Sequence, residues 1–111
     1  MGEINESTLK EMVDAIVEEV HPEEIVLFGS LARGDSAQGS DVDLMVIDPK
    51  PFDETRNRLK EMARIWHVLR RFCIPVDILL YSRDEVERWR HSINHVIARA
   101  LREGKVLYGR P

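Results

Sequence analysis

Three short apolar runs rich in strand-forming residues recur along this chain of 111 residues, separated by segments of helical periodicity. The runs are Glu24–Phe28, Val42–Ile47 and Pro75–Tyr81, and Val106–Tyr108 can add a short edge strand. A chain of this length has room for one hydrophobic core, so the strands must share one sheet. We therefore expect a single domain over residues 1–111, an α/β (α+β) fold with helices packed on a four-stranded sheet.

Helical stripes precede the first run and follow the second and third runs. Side chains able to cap a helix stand at the start of each stripe: Thr8 with Glu11, Asp53, and Ser82 with Glu85. His21-Pro22 should end the first helix, because proline disfavours helical geometry in the residue before it. Gly104 should end the third helix, which is predicted to run without a break from residue 83.

Several side chains on these stripes have a structural and a functional interpretation. Trp66 and Trp89 are predicted to lie in the core, although part of a stripe could instead bind a partner. Cys73 follows an apolar stripe and is predicted to be core or near-core. His91 and His95 are four residues apart on the predicted third helix and could share a metal. They lack a third ligand nearby, which favours two exposed helical histidines.

Two carboxylates separated by one residue, Asp41 and Asp43, open the second strand. Side chains two apart on a strand share a face, and such close carboxylates repel each other unless a cation is present. Asp77 lies between apolar neighbours in the third strand and should point away from the face that they cover. If the second and third strands are parallel neighbours, the three acids can meet and bind Mg²⁺ or Mn²⁺. Taken singly, a D-x-D pair can instead cap a loop, and Asp77 can face solvent.

Gly29-Ser30 ends the first strand and offers backbone N–H groups and a hydroxyl, the donors that a polyphosphate needs. Arg33 can add a phosphate contact or, equally, form a surface salt bridge. For Gly29-Ser30 to meet the two aspartates, the first strand must finish where the second begins. Those two strands are therefore predicted to be antiparallel and the sheet mixed.

The spacing of these residues resembles a known signature. Gly29-Ser30, ten residues and then Asp41-Val42-Asp43 match the pattern of the DNA polymerase β-like nucleotidyltransferase superfamily. In so short a chain, the strings GSLARG and SDVDLMV are similar to those of the minimal nucleotidyltransferase (MNT) family. The combined spacing, followed by Asp77 on a strand, is far more specific than either motif taken singly.

This resemblance implies an activity and a set of roles. Family members transfer a nucleoside monophosphate, commonly AMP from ATP, to a hydroxyl and release pyrophosphate. By position, Asp41 and Asp43 would bind two Mg²⁺ ions, and Asp77 would bind the catalytic one and help deprotonate the acceptor. Gly29 and Ser30 would hold the β- and γ-phosphates, with Arg33 as a further candidate for nucleotide binding.

The resemblance also implies a partner. MNT proteins are often paired with a separately encoded helical HEPN protein, and several pairs act as toxin and antitoxin, the MNT subunit adenylylating a tyrosine of the toxin. Two alternatives stay open: an antitoxin that neutralises its partner by occlusion without chemistry, and a small-molecule nucleotidyltransferase. The oligomeric state is open between a homo-oligomer and a hetero-oligomer.

The composition limits the classes of protein to which the chain can belong. No apolar run approaches the ~20 residues of a membrane span. The acidic N-terminus does not resemble a signal peptide, and one cysteine forms no internal disulfide, so a cytoplasmic location is expected. Residues 1–48 hold two basic and twelve acidic side chains, whereas residues 49–111 hold fourteen and eight. The basic excess is expected mainly on solvated helix faces, so nucleic-acid binding is not indicated.

Overall fold

The computed structural model describes residues 5–29, 32 and 42–109. Within these ranges the chain forms four strands and four α-helices. In chain order the elements are α1 (Glu6–Val20), β1 (Glu24–Phe28), β2 (Val42–Asp48), α2 (Arg58–Leu69), a 3₁₀ turn (Arg70–Phe72), β3 (Val76–Ser82), α3 (Arg83–Trp89), α4 (Val96–Glu103) and β4 (Lys105–Tyr108). The predicted α/β fold with a four-stranded mixed sheet is confirmed. No helix of the described ranges is long and apolar enough to span a membrane.

The strands form one sheet in the order β3-β2-β1-β4. β1 runs antiparallel to β2, with Phe28 opposite Asp43, and it runs antiparallel to β4 on its other side. β2 and β3 are parallel, with Asp43 opposite Asp77. The antiparallel pairing that the Gly29-Ser30 and Asp41-x-Asp43 spacing required is confirmed. The parallel pairing of β2 with β3, which brings Asp43 and Asp77 together, is also confirmed.

The sheet is covered on both faces because successive side chains of a strand alternate between them. One face packs with α1 and α2 in a cluster whose buried members include Met12, Ile16, Ile25, Leu44, Val46, Ile65 and Ile78. The opposite face packs with α3 and α4 through Val26, Met45, Ile47, Val86, Ile97 and Ala100. The strands consequently read as nearly continuous apolar runs, with few interior positions open to a polar side chain.

Two predicted helix starts are wrong. The N-cap of α1 is Asn5, whose Oδ1 accepts a hydrogen bond from the Thr8 backbone N–H at 2.8 Å, so Thr8 lies inside the helix. The N-cap of α2 is Asn57 instead of Asp53. Asp53 closes a turn of its own, with its carboxylate accepting from the Thr55 N–H at 2.8 Å and the Thr55 hydroxyl at 2.7 Å. These bonds satisfy Asp53 locally and delay the helix by one turn.

The predicted ends at His21 and at Gly104 are confirmed, as is the capping box of Ser82 and Glu85. Glu85 also accepts a hydrogen bond of 2.5 Å from Arg58, the first residue of α2. Burial raises the pKa of Glu85, but the hydrogen bonds from Arg58 and the Ser82 backbone outweigh it and hold that pKa below its ordinary value. This contact ties the starts of α2 and α3 together across the edge of the sheet.

The single helix predicted from residue 83 to Gly104 is wrong, because the chain breaks into α3 and α4. His95 is the N-cap of α4, its Nδ1 accepting from the Ile97 N–H at 3.1 Å, and its ring stacks on Trp89 with centroids 4.6 Å apart. His91 lies in the turn after α3. The two histidines therefore do not share a helix, and His95 serves as a cap.

Three residues expected in the core are more exposed than predicted. Trp66 and Trp89 keep 40% and 41% of their surface accessible. Cys73 is exposed at the end of the 3₁₀ turn, with a left-handed φ of 54°. The helical stripes were correctly identified, but their outer edges extend beyond the area that the sheet covers.

Gly104 joins α4 directly to β4 and leaves no room for a side chain. A β-carbon at this position would lie 2.4 Å from the carbonyl oxygen of Ala100 and 2.6 Å from Cγ1 of Val26. Because both atoms belong to packed elements, neither can move away without displacing α4 or β1. The position of α4 relative to the end of β1 therefore depends on this glycine.

We expect Gly104→Ala to lower the free energy of unfolding by about 1–3 kcal/mol, the usual cost of overpacking a dense interior. Urea denaturation followed by circular dichroism measures the change. Ser92→Ala, at a half-buried position of the α3–α4 connection, is the control and should unfold at the urea concentration of the native chain. An unchanged midpoint for Gly104→Ala would show that α4 adjusts freely.

Candidate active site

Two of the predicted site acids, Asp43 and Asp77, lie side by side on one face of the sheet. Asp43 alternates with Val42 and Leu44, which pack under α1 and α2, so its side chain projects to the α3–α4 face. Asp77 alternates with Val76 and Ile78 in the same manner and projects to that face as well. The pair is in register on neighbouring strands, which lie about 4.8 Å apart. Asp43 is half-buried and Asp77 is exposed.

Gly29 follows β1 and lies beside Asp43, on the side away from Asp77. It has a φ of +75°, a conformation that favours glycine. A β-carbon on Gly29 would lie 2.2 Å from Oδ2 of Asp43 and 3.0 Å from its Cγ. The glycine is therefore required twice, once by its backbone angle and once by the carboxylate beside it.

The remaining predicted site residues, Ser30, Arg33 and Asp41, lie outside the described residues. The described residues hold no group of three or more His, Cys, Asp or Glu side chains able to bind a metal ion. They hold two of the three predicted carboxylates, Asp43 and Asp77, and these are adjacent. Their oxygen atoms are hard donors of the kind that Mg²⁺ and Mn²⁺ prefer.

A cleft of about 230 Å³ opens beside Gly29, between the end of β1 and α4. It is lined by Phe28, Gly29, Asn94, Val96, Arg99, Ala100 and Glu103. Sequence reasoning missed the contribution of α4 to this place, because the spacing of residues 94–103 shows only a helical stripe. The strand order places α4 here, since α4 leads directly into β4, the neighbour of β1.

Three exposed apolar side chains lie between the end of α3 and the start of α4, the helix that lines this cleft, and form what we call the rim patch: Trp89, Ile93 and Val96. Ile93 keeps 82% of its surface accessible, and Val96 lines both the patch and the cleft. The patch lies at the break between α3 and α4, where Ile93 is exposed. Adjacent exposed apolar side chains of this kind are typical of a surface that binds another molecule.

Comparison with known proteins agrees with this arrangement. Residues 9–102 match the nucleotidyltransferase domain family. The chain is 29% identical over 106 residues to an inferred protein adenylyltransferase of Methanocaldococcus jannaschii, and the match covers 93% of this chain and 97% of that protein.

Two solved structures share the fold. An inferred nucleotidyltransferase from Sulfolobus solfataricus superposes with a TM-score of 0.63 at 22% identity, over 94% of this chain and 79% of that one. A toxin–antitoxin structure with AMP-PNP superposes with a TM-score of 0.56 at 21% identity, over 91% of this chain and 73% of the other.

The family match spans both aspartates and the glycine beside them. The expected nucleotidyltransferase fold is the one that the structure has. The chain belongs to the nucleotidyltransferase domain family and is a nucleotidyltransferase.

Proposed function

We propose that this protein transfers AMP from ATP to a hydroxyl group of a separate protein, with divalent metal ions as cofactors. The observation that carries the proposal is the row formed by Asp77 on β3, Asp43 on β2 and Gly29 directly after β1. Nucleotidyltransferases generally use a nucleoside triphosphate and a divalent metal. The relative named as a protein adenylyltransferase supports AMP as the transferred group and protein as the acceptor.

The donor set fits a hard divalent cation. Asp43 and Asp77 project in register from the same face, and close carboxylates of this kind favour a bound cation that offsets their repulsion. Asp41 would join them if the alternation of β2 extends one pair toward the N-terminus. Two Mg²⁺ ions, or Mn²⁺ as substitutes, would there neutralise the phosphate charge that develops during transfer.

The roles of the chain's own residues follow from the order of the row. Gly29 and Ser30 would hold the β- and γ-phosphates through backbone N–H groups and a hydroxyl, with Arg33 as an additional contact. Asp77 is exposed at one end of the row, and it would accept the proton of the incoming hydroxyl, the role that the resemblance implies. That oxygen forms a bond to the α-phosphorus, the bond from this phosphorus to the bridging oxygen breaks, and pyrophosphate leaves.

We further propose that the acceptor is a tyrosine of a HEPN-type partner and that the pair forms a toxin–antitoxin system. The shared fold with a toxin–antitoxin structure that contains AMP-PNP is consistent with this role. The rim patch supports a protein acceptor, because its apolar surface is continuous with the cleft through Val96. We assign the rim patch to the acceptor-bearing segment of that partner.

The decisive experiment offers the protein encoded beside this chain as acceptor, together with ATP labelled in its α-phosphate and Mg²⁺. We expect label on the partner, and none when the γ-phosphate carries the label. Asp43→Asn and Asp77→Asn keep the side-chain shape but remove a charged oxygen donor. Each should reduce the transfer rate by more than about 100-fold, exceeding the effect of losing an outer-shell partner.

Asp14→Asn, an exposed carboxylate on α1, is the matched control and should transfer at the native rate. Absence of transfer with both Mg²⁺ and Mn²⁺ would refute the proposed reaction. If Asp43→Asn and Asp77→Asn chains still neutralise the partner in cells, occlusion is the mechanism. Label on a small alcohol but never on the partner would instead indicate a small-molecule nucleotidyltransferase.

We expect Gly29→Ala to abolish detectable transfer while the chain stays folded. The added methyl group would occupy the space beside Oδ2 of Asp43 and would also strain a backbone with φ of +75°. The transfer assay and a circular dichroism melt together measure both effects. Native activity in Gly29→Ala would refute the role of this close approach.

We expect Ile93→Asp to reduce transfer to the partner by about 10-fold or more, because a charge would replace an apolar anchor. ATP binding by the same variant should be unchanged. Leu59→Asp is the matched control, since Leu59 is 74% exposed on α2, on the opposite face of the sheet. Equal losses in both variants would argue against the rim patch as the docking surface.

A further inference from the structure

We infer that Arg99 of α4 binds the distal phosphates of the nucleotide and the pyrophosphate that leaves, an inference that rests on the proposed function. Arg99 lines the cleft beside Gly29. It lies outside the glycine-serine turn and the aspartates, and its place in the fold depends on the break between α3 and α4. The role would make α4 a part of the substrate site.

The order of elements gives the direction of the nucleotide. Asp77 on β3, Asp43 on β2 and Gly29 after β1 follow one another across the sheet, and the cleft against α4 comes next. A polyphosphate with its α-phosphate at the two acids and its distal phosphates beside Gly29 therefore lies against the wall that α4 forms. The cation that it meets there is the guanidinium of Arg99.

The side chain of Arg99 is available for such a contact. It is 61% exposed, and its Nε lies 3.8 Å from the Glu103 carboxylate one turn along the helix. An exposed pair at this distance contributes little to stability. By contrast, Arg64 bonds to Glu19 at 2.9 Å and Arg56 bonds to Asp48 at 2.6 Å. Arg99 can thus exchange its carboxylate neighbour for phosphate oxygens without a loss to the fold.

Arg99 is the side chain of this cleft that favours phosphate, whereas the Glu103 carboxylate on the same lining repels it. A guanidinium presents paired N–H donors that match two phosphate oxygens. The backbone N–H of Gly29 would contribute a further donor from the other side of the cleft. Phe28 and Val96 offer some apolar surface, so a nucleoside is the competing occupant. The two occupants differ in one testable respect, since only a distal-phosphate site distinguishes ATP from AMP.

The test measures the affinity of the purified chain for ATP, AMP and inorganic pyrophosphate by calorimetry with Mg²⁺ present. We expect Arg99→Gln to weaken ATP and pyrophosphate binding by about 10- to 100-fold and to leave AMP binding unchanged. Arg99→Lys should recover part of the loss, since it keeps the charge but not the paired donors. Arg88→Gln, an exposed arginine of α3, should bind all three ligands as the native chain does.

Three results would overturn the inference: native ATP affinity in Arg99→Gln, an equal loss for ATP and AMP, which indicates a nucleoside site, or no nucleotide binding by the native chain. The outcomes also separate this inference from the proposed function. AMP transfer to the partner with unchanged ATP affinity in Arg99→Gln refutes only the role of Arg99. Arg99-dependent ATP binding without AMP transfer refutes only the proposed reaction.

Discussion

The close approach of Gly29 to the carboxylate of Asp43 is the contact on which the site depends. It exists because β1 ends directly opposite the start of β2, with Phe28 paired to Asp43 in the antiparallel ladder. A side chain at position 29 would occupy the space of the carboxylate. The parallel pairing of β2 with β3 then brings Asp77 into the same row. A shift of either ladder by one residue would turn one member of the row to the opposite face.

Much of this arrangement could be predicted from the sequence, because the chemistry itself constrains the topology. A phosphate-binding turn at Gly29 can serve Asp43 only if the first two strands are antiparallel, and Asp77 can join only if the third is parallel to the second. The capping box of Ser82 and Glu85 and the end of α1 at His21 are local in sequence, and both were predicted correctly.

The errors have both local and long-range causes. Asp53 and Asn57 can both cap a helix, and the choice between them follows from the turn that Asp53 makes with Thr55. At the break before α4, His95 caps the helix and its ring stacks on Trp89, a contact between separate elements. The exposure of Trp66 could not be predicted either, because a helical stripe does not reveal how wide a surface will cover it. The cleft beside Gly29 could not be predicted, because residues 94–103 show only a helical stripe in the sequence.

The opposite charges of the two halves of the chain are partly matched within the fold. Arg56 pairs with Asp48, Arg64 with Glu19, and Arg83 with the buried Glu24. In each pair the base comes from residues 49–111 and the acid from residues 1–48. Part of the basic excess therefore joins the second half of the chain to the first, leaving Arg99 among the cations with a loosely held neighbour.

The one-residue junction at Gly104 has a consequence for how the cleft can change shape. Since α4 passes into β4 without a loop, and β4 is hydrogen-bonded along β1, this wall cannot swing as a hinged lid while the ladder persists. Enzymes that close over a nucleotide usually do so with a mobile loop or domain of their own. The α4 side of the cleft is therefore a fixed wall, and a change in its width would require β4 to separate from β1.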